Sequence, residues 1–121
     1  MAFVLDFRKQ YYEVESVKNL EEVLPDIVIE SLNYCARQEQ PFTPTYAVLS
    51  KDKVTVHFLV DFDNMVVYFD ILRSDKNIDC AAAPLRQFMS GEHNIAAGPL
   101  AHLICEEIQR TVNMQNWRDS K

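Results

Sequence analysis

The chain has 121 residues, a mass of 14.0 kDa and a formal charge of −6, with 48% hydrophobic residues and only two glycines. Such a length suits one domain that buries about two thirds of its surface, and the composition excludes disordered, low-complexity and collagen-like classes. The excess of acid disfavours nucleic acid or an anionic membrane as a partner held by charge, and no uncharged apolar run is long enough to span a bilayer. Three cysteines, Cys35, Cys80 and Cys105, lie far apart with no close pair, which points to reduced thiols and a cytoplasmic setting. Residues 1–121 therefore read as a single compact domain.

In chain order, the opening from Ala2 to Glu15 alternates Phe3, Leu5 and Phe7 with Val4, Asp6 and Arg8. This is the pattern of an extra N-terminal strand or an extended arm. Helix grammar follows, because Asn19 with Glu22 three residues on resembles a capping box. Leu20, Val23, Leu24, Ile27, Ser31, Tyr34 and Cys35 recur on one side of a 3.6-residue period. Pro25 predicts a kink ahead of a main segment from Asp26 to Gln38, and Pro41 and Pro44 end it.

From Tyr46 to Leu72 the period changes to two. Val54, Val56, Phe58, Val60 and Phe62 alternate with more polar residues, as do Met65, Val67, Phe69 and Ile71, and the set is rich in β-branched and aromatic side chains. Two-residue turns at Lys51-Asp52 and Asp63-Asn64 set a register that pairs Leu49 with Val54, Ala47 with Val56, Val56 with Ile71, Phe58 with Phe69, and Val60 with Val67. All of these fall on one face, and a one-residue slip would turn the whole apolar set to the other side. The expectation is a three-stranded antiparallel β-meander. Its second face carries Tyr46, Val48, Thr55, His57, Leu59, Asp61, Val66, Tyr68, Asp70 and Leu72, a mixture needing partial cover.

Beyond Leu72 a polar turn leads to a short helix starting at Asp79 or Ala83, running through Phe88 and Met89 and stopping at Gly91. A longer helix starts at Gly98-Pro99 and runs to about Gln115, with Leu100, Leu103, Ile104, Ile108, Thr111 and Val112 at helical spacing. The matching runs Ala81 to Leu85 and Ala96 to Leu100 read as one helix-start grammar used twice, too short to be a structural repeat. The fold class expected is α+β: helix, three-stranded antiparallel meander, then a short and a long C-terminal helix. The half-apolar second face and the two sheet edges need cover from the N-terminal arm or another subunit, and a homodimer is expected.

No motif for catalysis, metal or cofactor is present, so no catalytic residue, metal ligand or cofactor is assigned. Tyr46, His57 and Asp70 form a lateral row across the strands, with Tyr68 nearby, and so supply the parts of an acid–base relay or a small-ligand site. The ordinary reading of that row is a cross-strand polar pair. The D-F-D-N run from Asp61 to Asn64 reads as turn chemistry, since the ligand series of a calcium loop is absent. His93, His102, Cys105 and Glu106 include spacings that metal ligands use, although His102 and Glu106 fall on a polar side. Glu107 lies on the apolar stripe and needs a basic partner if buried.

Helix 1 carries the main anomaly. Glu22, Asp26 and Glu30 stand at i, i+4 and i+8 with no lysine between them, a spacing at which like charges repel. From Glu13 to Glu30 there are six acids and one lysine, a net of −5 against −6 for the whole chain. Ile29 points away from the core stripe beside this ladder. An acidic face bordered by apolar side chains suits a basic, partly apolar protein. The functional expectation is a non-catalytic, intracellular protein-binding module of adaptor, inhibitor, immunity or chaperone type. The alternative is a small-molecule binder or minor enzyme using the Tyr46/His57/Asp70 row.

Overall fold

The computed structural model describes residues 11–39, 42–74, 76–90 and 94–119. In chain order they form β1 (Tyr11–Val14), α1 (Val17–Gln38), β2 (Phe42–Leu49), β3 (Val54–Asp61), β4 (Val66–Arg73) and β5 (Lys76–Pro84). A single 3-10 turn (Leu85–Phe88), the short pair β6 (Met89–Ser90) and β7 (Asn94–Ile95), and α2 (Ala97–Asp119) complete the order. The main sheet has five strands in the order β1-β2-β3-β4-β5. β1 runs parallel to β2, and every other neighbour is antiparallel. A parallel pair needs a crossover to bring the chain back to its starting edge, and α1 provides it.

The meander register is the one that the alternation predicts. Leu49 pairs with Val54, Ala47 with Val56, Val56 with Ile71, Phe58 with Phe69 and Val60 with Val67. These residues are at most 2% exposed, because α1 and α2 both lie on their side and share one core with them. Leu20, Leu24, Ile27 and Val28 enter that core from α1, and Leu100, Ala101, Ile104, Ile108 and Val112 from α2. The helix-to-sheet seam contains one buried polar contact, in which Ser31 donates to the Ile27 carbonyl at 2.8 Å and lies 3.5 Å from the Thr45 hydroxyl. Bonding the helix's own carbonyl removes the cost of an unpaired buried hydroxyl.

Several expectations need correction. The sheet has five strands rather than three. One added strand, β1 at Tyr11–Val14, falls within the stretch expected to form an extra N-terminal strand or an arm, although the alternating residues Phe3, Leu5 and Phe7 lie outside the described residues. The second is β5, in the stretch expected to begin the short helix. Ala81 and Ala83 pair there with Phe69 and Val67, and Ala83 is fully buried. Alanine favours a helix by only a few tenths of a kcal/mol over most residues, and the ladder bonds and burial beside β4 outweigh that preference. Only the turn Leu85–Phe88 survives of the short helix.

The helix ends and turns differ as well. α1 is one helix from Val17, with Pro25 inside it. Its start is held not by Asn19 but by Asp52, which accepts the Val17 N–H at 3.1 Å from the β2–β3 turn. A carboxylate there also meets the positive end of the helix dipole. Both hairpin turns keep the expected register, but their left-handed residues are Lys53 and Met65, at φ of 58° and 54°. On α2 the buried stripe is rotated toward Ala101 and Cys105, which leaves Leu103 44% exposed. No helix among the described residues is long and apolar enough to cross a membrane.

Candidate functional site

The outer face of the sheet follows from the same alternation that builds the core. If Val56, Phe58 and Val60 point inward, Thr55, His57, Leu59 and Asp61 must point outward. His57 sits between Tyr46 and Asp70 in the lateral row expected from the register. The Tyr46 and His57 rings stack at a centroid separation of 4.5 Å and an angle of 12°, while His57 Nδ1 lies 3.8 Å from Asp70 Oδ2. His57 Nε2 is shielded from solvent and has no hydrogen-bond partner among the described residues. Tyr68 faces Leu59 two residues along the strands and is 43% exposed. The row therefore joins one aromatic ring, one imidazole and one carboxylate on an open sheet surface.

α1 presents a second surface. Its buried side takes Val17, Leu20, Leu24, Ile27 and Val28, so Glu22, Asp26 and Glu30 turn outward and stand exposed with Ile29 beside them at 38% exposure. Among the described residues no lysine or arginine pairs with any of the three. Glu30 instead accepts a hydrogen bond from the Tyr12 hydroxyl of β1 at 3.2 Å. Partial burial raises the Tyr12 pKa, and the nearby Glu30 charge adds to the rise.

Two polar clusters attach α2 to its neighbours. At the β5 edge, Thr111 donates to Asp79 Oδ2 at 2.7 Å, and Glu107 pairs with Arg110. Desolvation pulls the Asp79 carboxyl up, but hydrogen bonds with Thr111 and Glu107 and the Arg110 charge outweigh it, so its pKa falls below the ordinary value. The basic partner expected for Glu107 is thus on its own helix. Near the start of α2, His102 Nδ1 lies 3.2 Å from Glu21 of α1 and its Nε2 lies 2.6 Å from Glu106. The Glu21 hydrogen bond, then the charges of Glu106 and Glu21, raise the His102 pKa.

These contacts account for the His102 and Glu106 spacing. Each His102 nitrogen already has a carboxylate, and His93 lies outside the described residues. Among the described residues no group of three or more histidine, cysteine, aspartate and glutamate side chains is arranged to hold a metal ion. Cys105 is buried, which pushes its thiol up to about 12 with help from the Glu21 charge. Burial also raises Cys35, with smaller contributions from Asp61 and Asp63. Both thiols are therefore protonated and poorly nucleophilic at neutral pH. Cys80 is exposed on β5.

The D-F-D-N run is a side-chain-locked turn. Asp61 Oδ1 accepts the Asn64 backbone N–H at 3.0 Å, and Asp61 Oδ2 accepts its side-chain amide at 2.8 Å. These bonds, that from the Asn64 side chain first, lower the Asp61 pKa, as expected when the ionised form is the hydrogen-bonded one.

Among the described residues, two clefts border α2. One of about 410 Å³ against α1 is lined by Lys18, Glu21, Glu22, Cys105 and Glu106. Another of about 280 Å³ against β5 is lined by Ala81, Ala82, Leu103, Glu107 and Arg110. Neither contains a member of the Tyr46/His57/Asp70 row. Sequence reasoning missed the Asp79–Thr111 and His102–Glu21 contacts, which join residues 32 and 81 positions apart. Only the His102–Glu106 half of the second carried a local signal, its i,i+4 spacing. Comparison with protein-family models, with curated proteins and with solved structures finds no match.

Proposed function

We propose that this chain is a non-catalytic protein-binding module that captures a basic, partly apolar protein through the outward face of α1. The observation that carries this reading is the exposed row Glu22, Asp26 and Glu30, flanked by Ile29 and without a basic counterpart among the described residues. Three carboxylates at helical spacing repel one another in the isolated chain. A basic surface relieves that repulsion and is steered toward it over about a Debye length. Ile29 offers the apolar contact that such an encounter needs to persist.

The test compares native mass spectra of the tagged full chain, isolated gently from its own cells, with those of the triple variant Glu22→Gln, Asp26→Asn, Glu30→Gln. The wild type is expected to carry a protein partner that dissociates as salt is raised, and the variant to lose it while keeping its circular dichroism. A partner retained equally by both would remove this reading. A second reading, a small-molecule site on the outer sheet face, draws on the 4.5 Å Tyr46–His57 stack beside Asp70. In the same spectra it is expected to appear as a stoichiometric small ligand instead of a protein.

A further inference from the structure

We propose that the outer face of the sheet is the surface on which a second copy of this chain docks, with Tyr46, Leu59 and Tyr68 at the centre of a two-fold interface. The proposal does not depend on the acidic face of α1, so either can fail alone. Both helices lie on the inner face, and no described element covers the outer one.

The dimensions suit a partner of this size. Strands about 4.8 Å apart, rising about 3.3 Å per residue, give β2 to β5 a footprint of roughly 500 Å² over eight residues. Exposed Tyr68, with half-buried Tyr46 and Leu59 beside it, raises the accessible area of this patch toward the ~800 Å² per partner of a standard interface.

Charge placement identifies the occupant. The interior of the face holds His57 and Asp70, with Asp61 and Glu13 toward its rim, so a two-fold contact sets the imidazole of one copy against the Asp70 carboxylate of the other. The residues from Glu13 to Glu30 carry −5 of the chain's −6, and most of them belong to α1, behind the sheet. Stacking two outer faces sends both acidic helices to opposite outsides. With layers about 10 Å thick they then lie several Debye lengths apart. Docking through α1 would instead press like charges together.

One further observation favours the face over the sheet edge. The β5 edge is capped by its own side chains: Asn77 accepts the Asp79 N–H at 3.1 Å, and Asp79 accepts the Cys80 N–H at 2.9 Å. Such capping removes donors that an added strand would use.

Sedimentation equilibrium of the full chain over a range of concentrations tests the proposal. A dimer is expected, with Tyr68→Glu and Leu59→Glu each weakening self-association at least about 30-fold and Ile29→Glu leaving it unchanged. Circular dichroism shows whether each variant is folded. Should either glutamate variant fail to fold, hydroxyl-radical footprinting of the wild type replaces it, with Tyr68 expected to be protected in the dimer and labelled on dilution. A monomer at every concentration overturns the proposal, as does a dimer indifferent to both variants. A monomer in which Tyr68 is protected until residues 1–10 are deleted also overturns it, by assigning the face to the chain's own N-terminal segment.

Discussion

The two faces of the main sheet are made by the same strands from overlapping residue types, yet they end in different environments. On the inner face Val56, Phe58, Val67, Phe69 and Ile71 are at most 2% exposed. On the outer face Val48, Leu59, Val66 and Leu72 are only half-buried, and Tyr68 is exposed. Polar content separates them. The outer face also carries Thr55, His57 and Asp70, whose polar atoms would lose water under a helix without gaining partners there. The inner face brings few, chiefly Thr45, with the Ser31 hydroxyl beside it, and Asp79, which Thr111 of α2 bonds. Apolar alternation decides which residues share a face, and the polar minority decides which face the helices can cover.

Truncation at neighbouring positions of β3 puts that contrast to its strongest test. Phe58→Ala should destabilise the fold by about 3–5 kcal/mol, the cost of emptying an aromatic site in a packed core. Leu59→Ala, one residue on, should cost less than about 1 kcal/mol when urea unfolding is followed at low protein concentration. A large cost for Leu59→Ala under those conditions would mean that the outer face is already packed within a single copy.

The extent to which the sequence disclosed this arrangement follows from the range of each interaction. The meander register was legible because period-two alternation and two turns give the same pairing twice over, and the Tyr46/His57/Asp70 row came with it. The outward ladder of α1 was legible for the same reason, since helical phase alone sends Glu22, Asp26 and Glu30 away from Leu20, Leu24 and Ile27. β5 was not. Its Asp79 to Ala83 run favours a helix locally, and only the free edge of β4 draws it into the sheet. Asp52 as the cap of α1, 35 residues from Val17, and the contacts of α2 with Glu21 and Asp79 belong to the same class. They arise from where elements meet, which no local spacing encodes.

The Asp79–Thr111 bond sharpens the comparison at the sheet's rim, where α2 fastens the covered side to β5. Thr111→Val keeps the shape and removes the donor, and should cost about 1 kcal/mol at neutral pH. The Asp79 pKa lies below its ordinary 3.8 in the fold, so its ionised form is the stabilising one. That contribution is present above 3.8 and lost as pH falls through the lower folded value. Urea titrations of wild type and variant should therefore differ at pH 7 and converge in strong acid. A difference that persists undiminished in acid would show that Thr111 acts through packing instead of through the Asp79 charge.

The smallest effect concerns the bond between the two helices that cover the inner face. His102 of α2 faces Glu21 on α1 and Glu106 on its own helix, with Lys18 and Glu22 along the adjoining cleft. Its pKa is raised above the ordinary 6.5 in the fold, so the protonated imidazole is the form that binds its neighbours. The stabilisation is complete below 6.5 and is lost as pH rises through the folded value. His102→Gln should flatten the stability profile in that window and leave it unchanged above. Because all three side chains are exposed, salt should erase the effect as well. A wild-type profile already flat from pH 6 to 8 at low salt would mean that burial of Leu20, Leu24, Ile104 and Ile108 alone holds α1 against α2.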